Sequence, residues 1–380
     1  MNPELIQSAA PMDALLRRLS NEELIAADTE FFRETSYYPQ LALVQIATDS
    51  ILACIDPLAF DAKPGLQQIF LDQQLTKVFH SCSQDMEVLF YYLGETPVSI
   101  FDTQIASALL SEHYQIGYAS LVENELGIQL DKSQTRTNWL QRPLTDQQIE
   151  YAGDDVFYLY QLYKLLDKKL QHAGRKKWFA EECSRLFAGN SNYQVETDKL
   201  WKRVKGAVKL NRDKLAIVQA IAQWREQLAQ QKDITRRRVL ADDIIIQLAL
   251  HPPENISTLN QLIVNKYKLN DAERQQLFKS IISASQSPAE TWPDNQFTVL
   301  DSQQKLLLKE LQQIVNKKAE QLQVSSSILT TKKELETLIL YFASSNEAPD
   351  KSQLHGVTIL QGWRFHCFGQ QLIETIKNSR

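Results

Sequence analysis

No window of about 18 uninterrupted apolar residues occurs in this 380-residue chain, so nothing in it reads as a membrane-spanning helix. The opening MNPELIQSAAPMDALL lacks a basic segment followed by an apolar core, which argues against an export signal. Cysteine is scarce: Cys54, Cys82, Cys183 and Cys367 stand far apart with no CxxC pair, so neither a disulfide framework nor a thiolate zinc site follows from local spacing. A GxxxxGK(S/T) loop is missing too, which argues against an ATP-driven helicase. With 11 Gly and 12 Pro the chain is neither collagen-like nor disordered in bulk. What is present, 43% hydrophobic and 23% charged residues, describes a globular chain of two or three domains, expected to be soluble and cytoplasmic.

The net charge of −5 hides an asymmetry. Residues 1–170 carry 11 Lys and Arg against 24 Asp and Glu, a net −13, which leaves +8 for residues 171–380. Such a division suits an acidic part that holds cations and a basic part that meets a polyanion. Solvated faces of opposite sign are the plainer alternative.

Short β-rich runs alternate with helical patterns in the first part. Strands are expected at Leu24 to Phe32, Leu41 to Thr48, Ile51 to Asp56, Thr76 to Cys82 and Val98 to Thr103, the first three as an antiparallel meander. Helices are expected at Asp85 to Leu93, Thr103 to Leu110, Ser120 to Leu126 and Thr145 to Leu170, with Ser83 and Thr145 as candidate caps. The result is a mixed sheet flanked by helices. Beyond Arg175 the strand signal fades. One helical set (Leu215 to Leu228, Asp243 to Leu250, Thr258 to Val264, Asp271 to Ile282) precedes a linker over Ser285 to Pro293, and a second set follows (Ser302 to Gln321, Thr331 to Phe342, Trp363 to Ile376). Their similar length and order suggest a diverged repeat. The polar stretch Gly189 to Asp198 reads as a joint.

Within the run Ile25-Ala26-Ala27-Asp28-Thr29-Glu30, strand geometry puts Asp28 and Glu30 on one face. Buried unpaired, they would cost several kcal/mol each, and hard-oxygen cations such as Mg²⁺ or Mn²⁺ fit such a pair. Alternatively the strand ends at Ala27 and both acids are solvated. Asp85 lies at the opening turn of a helix, where it could equally serve the macrodipole. Tyr151 and Asp155, four apart on the long helix, share a face.

These residues, taken together, resemble the three motifs of the DEDD exonuclease superfamily in its tyrosine branch. Phe101-Asp102-Thr103-Gln104 and Lys132 to Leu144 look like the signature of the bacterial ribonuclease D family. Residues from about 210 to 290, with Trp224, Arg225, Asp233 to Leu240 and Asp243, look similar to the helicase-and-RNase-D C-terminal (HRDC) domain. The resemblance implies an α/β RNase H-like exonuclease domain over 1–172, a helical connector over 173–208, a first HRDC domain over 209–290 and a second HRDC-like domain over 291–380. It further implies two-metal hydrolysis, with ions roughly 3.5 to 4 Å apart. Asp28, Glu30 and Asp155 would hold the ion carrying the attacking water, Asp28 would bridge to a second ion served by Asp85, and Tyr151 would orient the water. The implied substrate is RNA with a single-stranded 3′ end, tRNA precursors foremost, without ATP or membrane. A DNA exonuclease of the same superfamily and a non-catalytic nucleic-acid-binding protein are the rivals.

Lys202, Arg203, Lys205, Arg236, Arg237 and Arg238 are candidate phosphate contacts in the basic part, with Trp201 and Trp224 nearby. Trp224 also reads as core, and some of these arginines are expected to pair with Asp233, Asp242 or Asp243.

Overall fold

The computed structural model describes residues 2–130, 137–187, 193, 195–263, 267–293, 300–345, 354 and 357–379. Residues 132–136 of the Lys132 to Leu144 segment, most of the expected joint before Val195, and Val264 at the end of one expected helix lie outside them.

The chain forms two compact units. The first holds a six-stranded sheet in the spatial order β1-β4-β3-β2-β5-β6, with β1 at Glu4–Ile6, β2 at Leu24–Phe32, β3 at Gln40–Ala47, β4 at Leu52–Ile55, β5 at Thr76–Phe79 and β6 at Ile100–Asp102. β3 and β4 pair antiparallel, with Val44 opposite Ile55. β1 joins β4 in parallel, and β5 lies parallel to both β2 and β6. The sheet is therefore mixed, as expected. Within the first 80 residues three elements were not anticipated: β1, α1 (Ala9–Leu19) and α2 (Lys63–Phe70). β1 is only three residues long. In α2, Pro64 occupies the first helical turn, where its missing N–H leaves no bond unmade.

Helices α3 (Ser83–Leu93), α4 (Thr103–Ala108) and α5 (Tyr118–Leu126) lead to the 27-residue α6 (Asp146–His172). Thr145 and Gln148 form a reciprocal capping box that fixes where α6 begins. The buried stripe Ala152, Val156, Leu159, Leu162, Leu166 and Leu170 seats this helix on the sheet. Gly153 permits the close approach, because a Cβ there would lie 2.4 Å from Pro3 Cγ. Before α6, Arg142 grips the Asp56 carboxylate at 2.7 and 2.8 Å and the Ala42 carbonyl at 2.7 Å, so this part of the Lys132 to Leu144 segment is fastened to the sheet.

The last helical set belongs to this same unit: α13 (Ser302–Leu322), α14 (Ser326–Leu329), α15 (Lys332–Ser344), α16 (Gly362–Arg364), a π-helical turn at Phe365–Gly369 and α17 (Gln370–Asn378). Its core residues Leu311, Leu338, Phe342 and Leu372 run on into Leu166, Leu170 and Phe179 without a break. Residues expected as a separate domain over 291–380 thus share the core of the sheet domain. The fastening is polar as well as apolar. Glu182 on α7 (Lys176–Phe187) is 2% exposed and accepts from both terminal nitrogens of Arg364, at 2.9 Å for Nη2, and from Trp363 Nε1 at 2.9 Å. Arg364 also donates to the Ile328 carbonyl at 2.7 Å, and Trp363 stacks on Trp178 with centroids 4.5 Å apart. Burial pushes the Glu182 carboxyl up, but Arg364 and Arg185 outweigh it and hold the group below its ordinary value.

The second unit comprises Arg33–Gln40 and Tyr193–Phe297. Its helices are α8 (Arg212–Lys232), α9 (Arg236–Val239), α10 (Asp242–Leu250), α11 (Ile256–Leu262) and α12 (Asp271–Ser285), packed around Leu215, Val218, Ile221, Trp224, Leu248, Leu277 and Ile281. Trp201 and Trp224 are both buried, which settles them as core. α8 and α13 are each 21 residues long, end in a left-handed residue (Asp233, φ 47°; Gln323, φ 52°) and are followed by a four-residue helix.

Arg364→Met should leave Glu182 buried with a lost partner and cost about 3–5 kcal/mol in urea denaturation. The pair Glu182→Leu with Arg364→Met should recover most of that loss, since a matched apolar pair carries no stranded charge.

Candidate active site

β2 pairs with β5 only through Leu24, Ile25 and Ala26, and β5 stops at Phe79. Asp28 and Glu30 therefore project past the end of their neighbour, at the carboxyl end of parallel strands, where open sheets form crevices. α3 starts beside that end and brings Asp85 in its first turn. α6 supplies Tyr151 and Asp155. All five line one cleft of about 720 Å³, together with Thr29, His80, Ser81, Tyr118 and others. Asp154, by contrast, is exposed to solvent.

The electrostatics of this cleft are one-sided. No Lys or Arg is among the described residues that line it. Burial, then the charges of Asp85, Asp155 and Glu30, raise the Asp28 carboxyl well above the ordinary range. Glu30 is pushed up to about 9 by burial and by Asp155 and Asp85. Asp85 rises to about 6, chiefly by burial. Asp155 rises to about 7, again by burial, although the Tyr151 hydroxyl donates to its carboxylate and works the other way. Between the two acids on β2, the Thr29 hydroxyl donates to Asp85 Oδ1 and joins strand to helix. Among the described residues no three His, Cys, Asp or Glu side chains stand close enough together to form a closed ligand set.

Four carboxylates set in one cleft, with no Lys or Arg among the described residues lining it, fit a hard divalent cation. Asp28, Glu30, Asp85 and Asp155 are the residues that could hold it. Sequence reasoning missed Thr29, hidden between the two acids, and Tyr118, which precedes the helical pattern recognised from Ser120. The Tyr118 phenol is raised well above its ordinary value by burial and by Asp155 and Asp28, and it donates to the Asp154 backbone carbonyl at 3.1 Å.

The six basic candidates divide. Lys202, Arg203, Lys205, Arg237 and Arg238 are exposed. Arg237 and Arg238 line a groove of about 1080 Å³ within the second unit, with Lys232, Lys268 and the acid Asp243. Arg236 departs from the expectation. Its guanidinium is committed to Glu226, with Nη2 2.6 Å from Oε1, and lies over the Tyr37 ring at 5.0 Å, so it is a structural group rather than a phosphate contact. The expected acid partners also differ. Asp242 takes Arg225 at 2.6 Å, while Asp233 accepts the backbone N–H groups of Tyr37 and Tyr38 at 3.0 and 2.9 Å.

Comparison with known proteins agrees with this layout. A family model described as 3′-5′ exonuclease matches residues 3–171, and one described as HRDC domain matches residues 214–275. The chain is 34% identical to the ribonuclease D of Zymomonas mobilis over 98% of its own length and 94% of that protein. It is 32% identical to that of Pseudomonas paraeruginosa over 99% of both. The crystal structure of Escherichia coli RNase D superposes with a TM-score of 0.86 at 27% identity, covering 100% of this chain and 99% of that one. With a nuclease sheet, an HRDC domain and relatives aligned along nearly its whole length, the chain belongs to the ribonuclease D family.

Proposed function

We propose that the cleft hydrolyses the terminal phosphodiester at single-stranded 3′ ends of RNA, one nucleotide at a time, releasing nucleoside 5′-monophosphates. The observation that carries this is the convergence of Asp28, Glu30, Asp85 and Asp155, from three separate elements, on a cleft with no Lys or Arg among the described residues lining it. These four would hold a pair of divalent cations, Mg²⁺ or Mn²⁺. Bound there, such ions lower the pKa of water and offset charge at phosphorus and on the leaving 3′ oxygen. Tyr151 is already hydrogen-bonded to Asp155 and would orient the attacking water. With an ordinary phenol pKa near 10 it is a poor base at neutral pH, so orientation is the role assigned to it. A cleft of about 720 Å³ suits one or two nucleotides rather than duplex.

The RNA assigned is a structured precursor with a 3′ extension, tRNA precursors foremost. The E. coli relative is described as an exoribonuclease involved in structured RNA processing. Exposed Lys202, Arg203, Lys205, Arg237 and Arg238 would take phosphates without reading sequence. The helical set after Ser302 would wall the cleft, since Ile328 lines a small pocket that shares Ser81 and Ser83 with it. Four free thiols suit a reducing cytoplasm.

Asp28→Asn and Asp155→Asn should each slow trimming of a 3′-extended RNA by roughly 10²–10³-fold, the scale of losing one transition-state stabiliser. Tyr151→Phe should slow it less, and RNA binding by all three should survive in a filter assay. Wild-type rates for the asparagine variants would refute the assignment, and equal rates on matched DNA would refute the RNA preference.

The raised carboxyls also set a pH signature. Below about pH 4 folded and unfolded chains are both protonated at these groups, and as pH rises the unfolded carboxyls ionise first. The metal-free protein should therefore lose stability as pH rises towards about 9, where Glu30 ionises. Melting curves at pH 5 and pH 9 should differ in EDTA and converge in saturating Mg²⁺.

For the basic unit, Arg237→Ala with Arg238→Ala should weaken RNA binding and flatten the plot of log affinity against log salt by about 0.7 for each phosphate no longer neutralised. Arg236→Ala should instead lower stability, read by the melting midpoint.

A further inference from the structure

Behind the cleft lies a group of side chains that the chemistry above does not use. Asp102, at the end of β6, is 3% exposed. Its carboxylate accepts four backbone N–H groups. Oδ1 takes Gln104 at 2.8 Å and Ile105 at 3.4 Å, which caps α4, and also Ser81 at 3.0 Å. Oδ2 takes Cys82 at 3.0 Å. The bonds to Ser81 and Cys82 reach the turn that leads from β5 into α3. Ser81 there has φ +58°, a left-handed conformation that non-glycine residues adopt rarely and keep only when their surroundings over-determine it. α3 begins two residues later, and Asp85 sits in its first turn.

The next two residues extend these bonds to the facing wall. Thr103 Oγ1 donates to the Phe79 carbonyl at 3.0 Å and lies 2.9 Å from His80 Nδ1. Gln104 Nε2 donates to the Ile116 carbonyl at 3.0 Å, and His80 Nε2 is 3.1 Å from the same oxygen. Gly117, Tyr118 and Ser120, which line the cleft, follow Ile116 directly. Three consecutive residues thus connect the turn that carries Asp85 to the wall that carries Tyr118.

Capping alone does not account for an aspartate at this place. A neutral Ser or Asn caps a helix about as well. An aspartate moreover sets a further negative charge behind the turn that leads to Asp85, which a neutral cap would not. What a carboxylate adds is a second acceptor oxygen, and that oxygen is spent on Cys82, 20 residues away.

We propose that Asp102 is a positioning residue of the nuclease site, acting through the Ser81 and Cys82 amides to hold Asp85 at the cleft while Thr103 and Gln104 fix the opposite wall. This rests on the assignment of Asp85 as a cation ligand. Once the turn is held, Asp85 meets the cation without the ordering that a loose turn would require at each binding event.

The test uses the full-length chain and two substitutions of graded severity. Asp102→Asn keeps Oδ1 with its cap and places an NH₂ opposite the Cys82 N–H. Asp102→Ser keeps the α4 cap alone. Amide exchange without metal or RNA should rise about tenfold in the segment 80–86 of Asp102→Asn, while 103–108 keeps its protection, since one buried bond is broken there. The Mn²⁺ concentration for half-maximal trimming, and that for Mn²⁺ binding without RNA followed by electron paramagnetic resonance, should rise about tenfold by the same measure. The rate at saturating Mn²⁺ should change little. Asp102→Ser should show the same pattern, enlarged. Unchanged exchange and unchanged Mn²⁺ titration in Asp102→Asn overturn the proposal, and so does an equal loss of protection in both segments, the mark of a helix cap and nothing more. Asp85→Asn is run in parallel. If it trims at the wild-type rate, the assignment of Asp85 fails; if it is inactive while Asp102→Asn behaves as wild type, only the role of Asp102 fails.

Discussion

Four carboxylates concentrated in one cleft, with no Lys or Arg among the described residues lining it, constrain everything built around them. An ionised carboxylate in a low-dielectric setting is costly unless paired, and like charges close together each raise the other's pKa. The scaffold answers with rigidity rather than neutralisation. β2 is anchored by Ile25, Ala26 and Ala27, all fully buried, and only then runs out past β5 to present Asp28 and Glu30. Asp85 lies in the first turn of α3, where the helix dipole favours a negative charge. Asp155 and Tyr151 ride on a helix of 27 residues whose start is fixed by a capping box and whose buried face is fixed by the sheet. Charge held so firmly is ready to be met by cations from outside.

The opposite sign is found elsewhere in the chain. Residues 171–380 carry the net +8 that balances part of the acidic −13, and in the second unit the exposed bases Lys202, Arg203, Lys205, Arg237 and Arg238 sit on a scaffold with its own apolar core. Arg225 and Arg236 of the same unit serve that scaffold instead, each tied to an acid, and Arg225 is buried as well. The distinction is one of partner, not of residue type. A guanidinium with a bidentate carboxylate and an aromatic ring beneath it is already satisfied.

Glu182 and Arg364 show the same principle at the other end of the chain. A buried ion pair adds little net stability over an apolar pair, but it is intolerant of misplacement, because losing one partner leaves the other buried with bonds unmade. With Trp363 and Trp178 stacked beside it, the pair specifies how the last helices seat on α7. That region consequently shares one core with the sheet domain.

Local periodicity was enough to read much of this from the sequence. Alternation put Asp28 and Glu30 on one face of a strand, a four-residue interval put Tyr151 beside Asp155, and Thr145 marked the start of α6. Each of these depends only on residues a few positions apart, where backbone geometry dictates the outcome. β1, three residues long, was too short for its pattern to register, and α2 is a helix of only eight residues that opens on Lys63-Pro64. Tertiary structure alone decided the rest: that Thr29 bonds Asp85 across 56 positions, that Asp102 reaches the amides of Ser81 and Cys82, that Arg236 belongs to Glu226 and Tyr37, and that the final helices join the nuclease core. Composition and spacing say which groups can bond; only packing, which closes distant segments upon each other and excludes water between them, selects which ones do.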